Sequence, residues 1–116
     1  MTRPTEPIHF KTERTDSGCI LHLQVPDDLY YLQGHFPQIP IVAGICQLRW
    51  VINAIEAYCG EKLHIVAMEA VKFHRILFPG QPFFMEITFD RAACKWGYRI
   101  YSEDKKFASG RLAVEV

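Results

Sequence analysis

A single long apolar helix, predicted over residues 43–58, constrains the fold of this chain more than any other feature. Apolar residues recur at helical spacing along two stripes: Ile45, Leu48, Ile52, Ile55 and Cys59 on one, and Val51, Ala54 and Tyr58 on the other. A helix that is apolar on most sides is enclosed by protein rather than laid on a surface. Gly60 is expected to end it.

The rest of the chain is typical of strands. A hairpin is predicted within the first twenty-five residues, because the turn formers of residues 15–18 separate two strand-like runs. After the helix, strand-like runs cover residues 63–77, 83–89, 96–101 and 107–116. This order predicts one α+β domain over residues 1–116, in which an antiparallel sheet wraps a single central helix.

Composition excludes several classes of protein. Hydrophobic residues make up 49% of the chain, which is too many for an intrinsically disordered protein. The 13 Lys and Arg residues balance the 13 Asp and Glu residues, so the chain has no electrostatic footprint for nucleic acid or for an anionic membrane. A net charge near zero also favours association of the chain into an oligomer.

The cysteines and the start of the chain indicate a reduced, cytoplasmic protein. The four cysteines show no C-x-x-C spacing, and the five histidines lie far from any cysteine pair, so no metal site is expected. The first residues have no apolar segment of the kind that a secretory signal needs, and no stretch is apolar enough to span a membrane. No nucleotide or other cofactor signature is present, and none is expected.

The loop before the helix carries the chemistry. Residues 34–44 read GHFPQIPIVAG, in which two prolines and two glycines restrict the backbone around His35. The helix that follows begins near Gly44, where unpaired N–H groups carry a partial positive charge. A base that titrates near neutral pH and fixed N–H donors are what proton abstraction beside a carbonyl requires. Taken alone, His35 is either such a base or a packed loop histidine.

This loop resembles the H-F-P-x-x-P-[IV]-x-P-G signature of the FabZ/FabA-type 3-hydroxyacyl-(acyl-carrier-protein) dehydratases, which have the hotdog fold. Residues 71–81, VKFHRILFPGQ, resemble the V-K-F-R-x-x-V-x-P-G-D segment of the same family, and residues 108–114 resemble its last strand. Within this family, the Gln47-Leu48-x-Trp50 run is most similar to the ApeI-like branch, which is tied to aryl polyene biosynthesis.

The resemblance implies a dimer in which a shared sheet wraps two helices, with two sites at the interface. His35 would act on the C2 proton of a 3-hydroxyacyl thioester, and the Gly44 N–H would polarise the thioester carbonyl. Phe36, Pro40 and Phe73 would bind the substrate. The implied partners are an acyl carrier protein or coenzyme A thioester and a second hotdog subunit, either identical or paralogous.

The chain departs from the family pattern on the helix. The family's catalytic carboxylate lies fourteen positions after the histidine, where this chain has Arg49. Arginine keeps its proton at any working pH, so it cannot serve as a general acid. Four residues later the family has a glutamine that would contact the substrate, and this chain has Asn53 at that position. Arg49 would either contact the substrate or pair with Glu56 across the dimer interface.

Three functions follow. The first is dehydration of a 3-hydroxyacyl thioester to the trans-2-enoyl thioester, with the missing acid supplied by water, by the substrate, by Glu56 or by a paralogous subunit. The second is a non-catalytic hotdog subunit that completes the site of an active paralogue, a reading favoured by Arg49. The third is a hotdog acyl thioesterase, in which a base activates water against the thioester carbonyl.

Overall fold

The computed structural model describes residues 5–28, 42 and 44–115. Along these residues the chain forms, in order, β1 (Ile8–Arg14), β2 (Gly18–Gln24), α1 (Gly44–Cys59), β3 (Ile65–Phe73), β4 (Pro82–Asp90), β5 (Lys95–Tyr101) and β6 (Lys106–Val114). The six strands form one sheet in the order β1-β2-β4-β5-β6-β3, and every neighbouring pair is antiparallel. The α+β prediction is therefore confirmed, with α1 as the one helix of the described residues.

The core lies between α1 and one face of the sheet. The alternation predicted for β4 is present, with Phe83, Met85 and Ile87 buried on the face toward the helix. From the helix, Trp50 stacks on Phe83 with ring centroids 6.0 Å apart. The predicted end of the helix is also observed, since Gly60 takes a left-handed φ of 75° and its N–H donates to the Glu56 carbonyl at 2.8 Å.

The sheet covers only one side of the helix in this chain. Val51 and Ile55 are fully buried, whereas Ile45 is 76% exposed and Cys59 is exposed as well. The prediction that protein encloses the helix is thus wrong for the single chain. The reason is geometric, because one sheet face can cover only part of a helix whose apolar residues extend around most of its circumference.

Both edge strands contain irregular registers. In β1 the register shifts between His9 and Lys11, and in β3 it shifts between Ile65 and Ala67 and again between Glu69 and Lys72. Ala70, inside the last shift, has a φ of 51°, which is left-handed backbone that a non-glycine residue rarely adopts. Pairing with β6 resumes at Lys72 and Phe73, and β3 ends at Phe73 rather than continuing to residue 77 as the sequence predicts. Directly after it, the His74 and Arg75 N–H groups both donate to the Phe107 carbonyl, at 2.8 and 3.4 Å, which breaks the ladder.

Strands β5 and β6 approach closely at one pair of residues. Tyr98 pairs with Gly110, and a Cβ at position 110 would lie 2.6 Å from the Tyr98 hydroxyl oxygen. The Tyr98 side chain is buried, and no described residue makes a hydrogen bond with its hydroxyl. Burial raises the pKa of Tyr98. The space above Gly110 is therefore filled by the Tyr98 ring.

Candidate active site

The start of α1 provides backbone donors in a fixed position. Gly44 is its first residue, and the first turn contains no acidic side chain. Just before it, the Val42 N–H donates to the Leu77 carbonyl at 2.8 Å, which ties the helix start to the connection between β3 and β4. The first N–H groups of a helix have no partner within it, so this end favours a developing negative charge. The helix therefore begins at Gly44 as the sequence predicts, and the role of the Gly44 N–H stays a prediction.

Phe73 lies directly against Gly44. A Cβ built on Gly44 would be 2.7 Å from Cζ and 2.8 Å from Cε1 of the Phe73 ring, which is closer than two carbon atoms can approach. The Phe73 residue remains 52% exposed although it ends β3 beside the helix. Two residues from the two sequence motifs are thus in contact, and a side chain at position 44 would require the exposed Phe73 ring to move aside.

Gln47, which the sequence analysis used only for the family resemblance, is buried near the start of the helix. It is the buried polar residue of the described core, only 4% exposed, and its Nε2 donates to the Val42 carbonyl at 3.3 Å. No described residue donates to its Oε1. The sequence feature that could have indicated its burial is its position between the apolar Cys46 and Leu48. The amide fixes the entry of the chain into the helix.

Cys46, beside Gln47, is an inert core residue. Burial raises the pKa of its thiol from 9.0 to about 12, and the Glu6 carboxylate adds to this effect. Since the thiolate is the reactive form, Cys46 is no nucleophile at neutral pH. The prediction that cysteines serve as core residues is confirmed for Cys19 and Cys46, but it is wrong for Cys59, which is exposed.

Arg49 lies on the outside of the helix, beyond the first turn. The residue is exposed, and among the described residues it forms no salt bridge. It is five residues from Gly44, which is about 7.5 Å along the helix axis. The described residues of its own chain therefore leave the guanidinium available to a substrate or to another subunit.

Glu56 is engaged elsewhere in the same chain. Its Oε2 accepts a hydrogen bond from the Leu63 N–H at 2.8 Å, which fixes the turn between α1 and β3. It also lies about 18 Å from Gly44 along the helix axis. The carboxylate that the sequence offered as a substitute acid is therefore remote from Gly44 within one chain.

Asn53 points to the segment that precedes β1. Its Nδ2 donates to both carboxylate oxygens of Glu6, at 3.3 and 3.2 Å, and one turn earlier the Trp50 Nε1 donates to the Thr5 carbonyl at 2.9 Å. Asn53 is about 13 Å from Gly44 along the axis. The structure thus brings Gly44 and Phe73 together and keeps Asn53 apart from them within the chain.

His35, Phe36 and Pro40 lie outside the described residues, so their predicted roles stay predictions. Within the described ranges, no group of three or more His, Cys, Asp and Glu side chains is arranged to hold a metal ion. No helix of this part of the chain is long and apolar enough to cross a membrane.

Large apolar side chains are exposed around the candidate site and along the edge strand next to it. On β3 and the residues that follow it, these are Val66, Met68, Phe73, Ile76 and Phe78, with exposed fractions between 44% and 64%. Ile45 on the first helical turn belongs to the same end of the molecule. Exposed apolar patches of this kind mark surfaces for a ligand or for another protein chain.

Comparison with known proteins places these features in a family context. A family model described as ApeI-like, ApeI dehydratase, matches residues 11–111. A chain of the dehydratase heterocomplex ApeI:P from Xenorhabdus doucetiae is similar in structure, with a TM-score of 0.86, 23% identity and coverage of 94% of this chain and 97% of that chain.

Two further structures share the fold. An uncharacterized protein from Erwinia carotovora subsp. atroseptica has a TM-score of 0.77 and 24% identity, with coverage of 94% of this chain and 95% of that chain. The dehydratase domain of the polyketide PpsC from Mycobacterium tuberculosis has a TM-score of 0.63 and 16% identity. It covers 100% of this chain, which spans 46% of that chain. The predicted hotdog fold is confirmed.

Proposed function

The chain belongs to the ApeI-like dehydratase family, and on that premise we propose that it acts in the dehydration of a 3-hydroxyacyl thioester as one subunit of a hotdog assembly. The observation that carries this proposal is the start of α1, where Gly44 presents helix N–H donors beside the exposed Phe73 ring. Fixed donors of this kind stabilise the oxyanion of an enolate.

In the proposed reaction, His35 takes the C2 proton of the substrate. The electron pair of that C–H bond moves onto the thioester carbonyl, whose oxygen receives a hydrogen bond from the Gly44 N–H. The enolate then collapses to form the C2=C3 double bond, and the C3–O bond breaks. The departing hydroxyl takes up a proton and leaves as water, so the products are the trans-2-enoyl thioester and water.

The departing hydroxyl needs an acid that Arg49 cannot supply. Glu56 of the same chain is hydrogen-bonded to the Leu63 N–H and is remote from Gly44. We therefore assign the acid to a carboxylate on the helix of a paralogous hotdog subunit, in a heterodimer. The similar ApeI:P structure is itself a heterocomplex, which supports this assignment.

The second candidate is a subunit with no turnover of its own, which only completes the site of its paralogue. Arg49 favours this reading, because an exposed cation stands at the position of the family's carboxylate. In both cases the partner is a hotdog chain. The two candidates differ in whether His35 and Gly44 of this chain take part in the chemistry.

An acyl carrier protein is the proposed donor of the thioester. Lys72, His74 and Arg75 are exposed and flank Phe73 in the sequence, so a basic rim would face an acidic carrier. We expect Lys72→Glu with Arg75→Glu to raise KM for a carrier-linked substrate about tenfold or more and to leave KM for the pantetheine-linked substrate unchanged. Lys105→Glu, a charge reversal in the turn between β5 and β6, is the control.

The central experiment measures turnover of a 3-hydroxyacyl carrier-protein thioester by the chain alone and together with a hotdog paralogue that has a helical carboxylate. We expect activity with the paralogue that His35→Ala abolishes. Arg49→Glu would restore an acid to the chain alone, and Arg91→Glu in the turn after β4 is the matched charge reversal. Full activity with His35→Ala in the presence of the paralogue would favour the non-catalytic subunit. No turnover in any combination would contradict both candidates.

A further inference from the structure

A cavity lies between α1 and the β1–β2 hairpin. Its volume is about 500 Å³, within the range of pockets that hold small organic ligands. Neither Gly44 nor Phe73 lines it. Asn53, which the resemblance implies as a substrate contact, is among its lining residues. The cavity is therefore separate from the Gly44–Phe73 contact, and the proposed function does not account for it.

The floor of this cavity is apolar and belongs to the core. It is formed by Leu21 and Leu23 of β2, Met85 of β4 and Trp50 of the helix. Met85 and Trp50 are only 1% and 2% exposed, so packing against the rest of the core holds these two side chains in place. The apolar surface that a ligand would remove from water comes mainly from Leu21, Ala54 and Tyr58, which line the cavity and are only partly buried.

The wall that faces this floor is polar because of the register shift in β1. His9 pairs with Leu23, but after the shift it is Thr12 and Arg14 that pair with Leu21 and Cys19. Without the shift, simple alternation from His9 would turn Lys11 and Glu13 toward the helix instead. The bulge thus turns His9, Thr12 and Arg14 toward the cavity. Bulges in edge strands often reorient side chains in this way beside binding sites.

Arg14 supplies a cation at one end of the cavity. Its guanidinium lies 5.4 Å from the centre of the Tyr58 ring, and among the described residues it forms no salt bridge. The acid of the same strand, Glu13, is already held by His22 at 2.7 Å and by Lys11 at 3.6 Å on the opposite face. The hydrogen-bond donors of Arg14 therefore remain available to an anion.

The other end of the cavity is closed to an anion. Glu6 lies there, with its carboxylate accepting hydrogen bonds from Asn53. An anionic group would be repelled from this end and attracted to the Arg14 end. At the Arg14 end, Thr12 offers a hydroxyl that already bonds His9 at 2.6 Å. The polarity of the cavity thus fixes which way an amphipathic ligand would lie.

We propose that this cavity is a ligand site for a small amphipathic carboxylate, with the head group bound by Arg14 and Thr12 and the apolar part on Leu21 and Ala54, above the buried Leu23 and Met85. All the residues that line the site belong to one chain, so the test can be made on the chain alone. Gly44 and Phe73, on which the proposed dehydration depends, do not line the cavity. Asn53, which the resemblance implies as a substrate contact, does line it, but its role in this proposal is only to hold Glu6.

The test uses octanoate as the probe and the uncharged 1-octanol as its comparison. Calorimetric titration gives the affinity, and the indole N–H resonance of Trp50, which bonds the Thr5 carbonyl at the cavity, reports where the probe binds. We expect octanoate to shift the Trp50 resonance and leave that of Trp96 unchanged. Octanol is expected to bind at least about fivefold more weakly, because it lacks the charge that Arg14 would bind.

Three variants separate the parts of the site. Arg14→Gln keeps most of the side chain and removes the charge, so octanoate affinity should fall about tenfold while octanol affinity stays the same. Ala57→Leu places a larger side chain in the cavity from an exposed helix position and should abolish binding of both probes. Lys11→Gln removes the same charge from the opposite face of β1 and should change nothing.

Each other result would overturn the proposal. Octanoate binding that survives Ala57→Leu would mean that the probe lies elsewhere, and an equal loss in Lys11→Gln would mean that net charge alone attracts it. No binding to the unaltered chain would mean that the cavity is filled in solution, whether by the chain's own first residues or by another subunit. All three substituted residues are exposed, so folding of the variants can be verified by their unchanged unfolding midpoints.

Discussion

The two edges of the sheet differ in chemistry although both are largely exposed. The first edge, β1, carries the charged residues Lys11, Glu13 and Arg14. The second edge, β3, exposes the apolar Val66 and Met68 instead. Charged side chains on an edge strand oppose pairing with another chain, whereas exposed apolar side chains favour that pairing. β1 also exposes the apolar Ile8 and Phe10, but three charged residues accompany them, so β3 is the edge better suited to a partner. Phe73 of the candidate active site lies at the end of β3.

The largest expected effect tests this contrast directly. We expect Val66→Glu with Met68→Glu to reduce subunit association at least about tenfold, because a charge at an edge-to-edge contact must be desolvated without a partner. Phe10→Glu introduces the same charge on β1, where the residue is 62% exposed, and should not alter association. Analytical ultracentrifugation gives both values. Dissociation caused by Phe10→Glu instead would reverse the assignment of the two edges.

The next effect concerns the contact between the helix and the apolar edge. Gly44→Ala would force a Cβ against the Phe73 ring, so we expect a loss of about 1–3 kcal/mol in the free energy of unfolding and a fall in turnover. Adding Phe73→Leu should recover stability by making room. Gly60→Ala is the comparison, since its cost of about 1–2 kcal/mol comes from left-handed backbone in open space and Phe73→Leu cannot relieve it. Denaturant titration separates the two cases.

A smaller effect is expected where the helix meets the segment before β1. Trp50→Phe removes the hydrogen bond to the Thr5 carbonyl and should cost about 1–2 kcal/mol of unfolding free energy, because a partly buried carbonyl loses its donor. Asn53→Ala breaks an exposed contact with Glu6 and should cost less than about 1 kcal/mol. Hydrogen exchange at residues 5–8 should rise in both variants. Equal costs in the two variants would contradict this ranking.

The smallest effect is the acid response of the charged edge. The hydrogen bond from His22 lowers the pKa of Glu13 below its ordinary 4.5, and the charge of Lys11 adds to this. Because the folded-state pKa lies below the unfolded one, the contribution to stability is present above pH 4.5 and is lost as the pH falls through the lowered pKa. Glu13→Gln should therefore flatten the acid limb of stability against pH. Salt at about 1 M should weaken the difference, since the pair is exposed.

Much of the fold follows from local pattern. The helix was predicted over residues 43–58 and spans Gly44–Cys59, because apolar spacing and a terminal glycine mark both its length and its end. Strand β3 was predicted to continue to residue 77 but ends at Phe73. Local pattern does not reveal that the next two N–H groups, of His74 and Arg75, share the Phe107 carbonyl. Which side of the helix stays uncovered was also beyond the sequence, because apolar spacing does not reveal how far one sheet can wrap.

The candidate site was predicted only in part. The resemblance identified both motifs, but the contact of Phe73 with Gly44 depends on the register that β3 takes against β6, which local pattern does not fix. The sequence gives no sign that Glu56 binds the Leu63 N–H or that Asn53 faces Glu6, because these are contacts between separate segments. The position of His35 stays a prediction.

The pairing of Tyr98 with Gly110 has a consequence for reading related sequences. The Tyr98 ring occupies the space that any side chain at position 110 would need, so neither residue can change freely while the other stays. In an alignment of relatives, we expect an alanine or serine at position 110 to occur together with a smaller residue at position 98. The two columns should vary together, and a chain that keeps the tyrosine should keep the glycine opposite it.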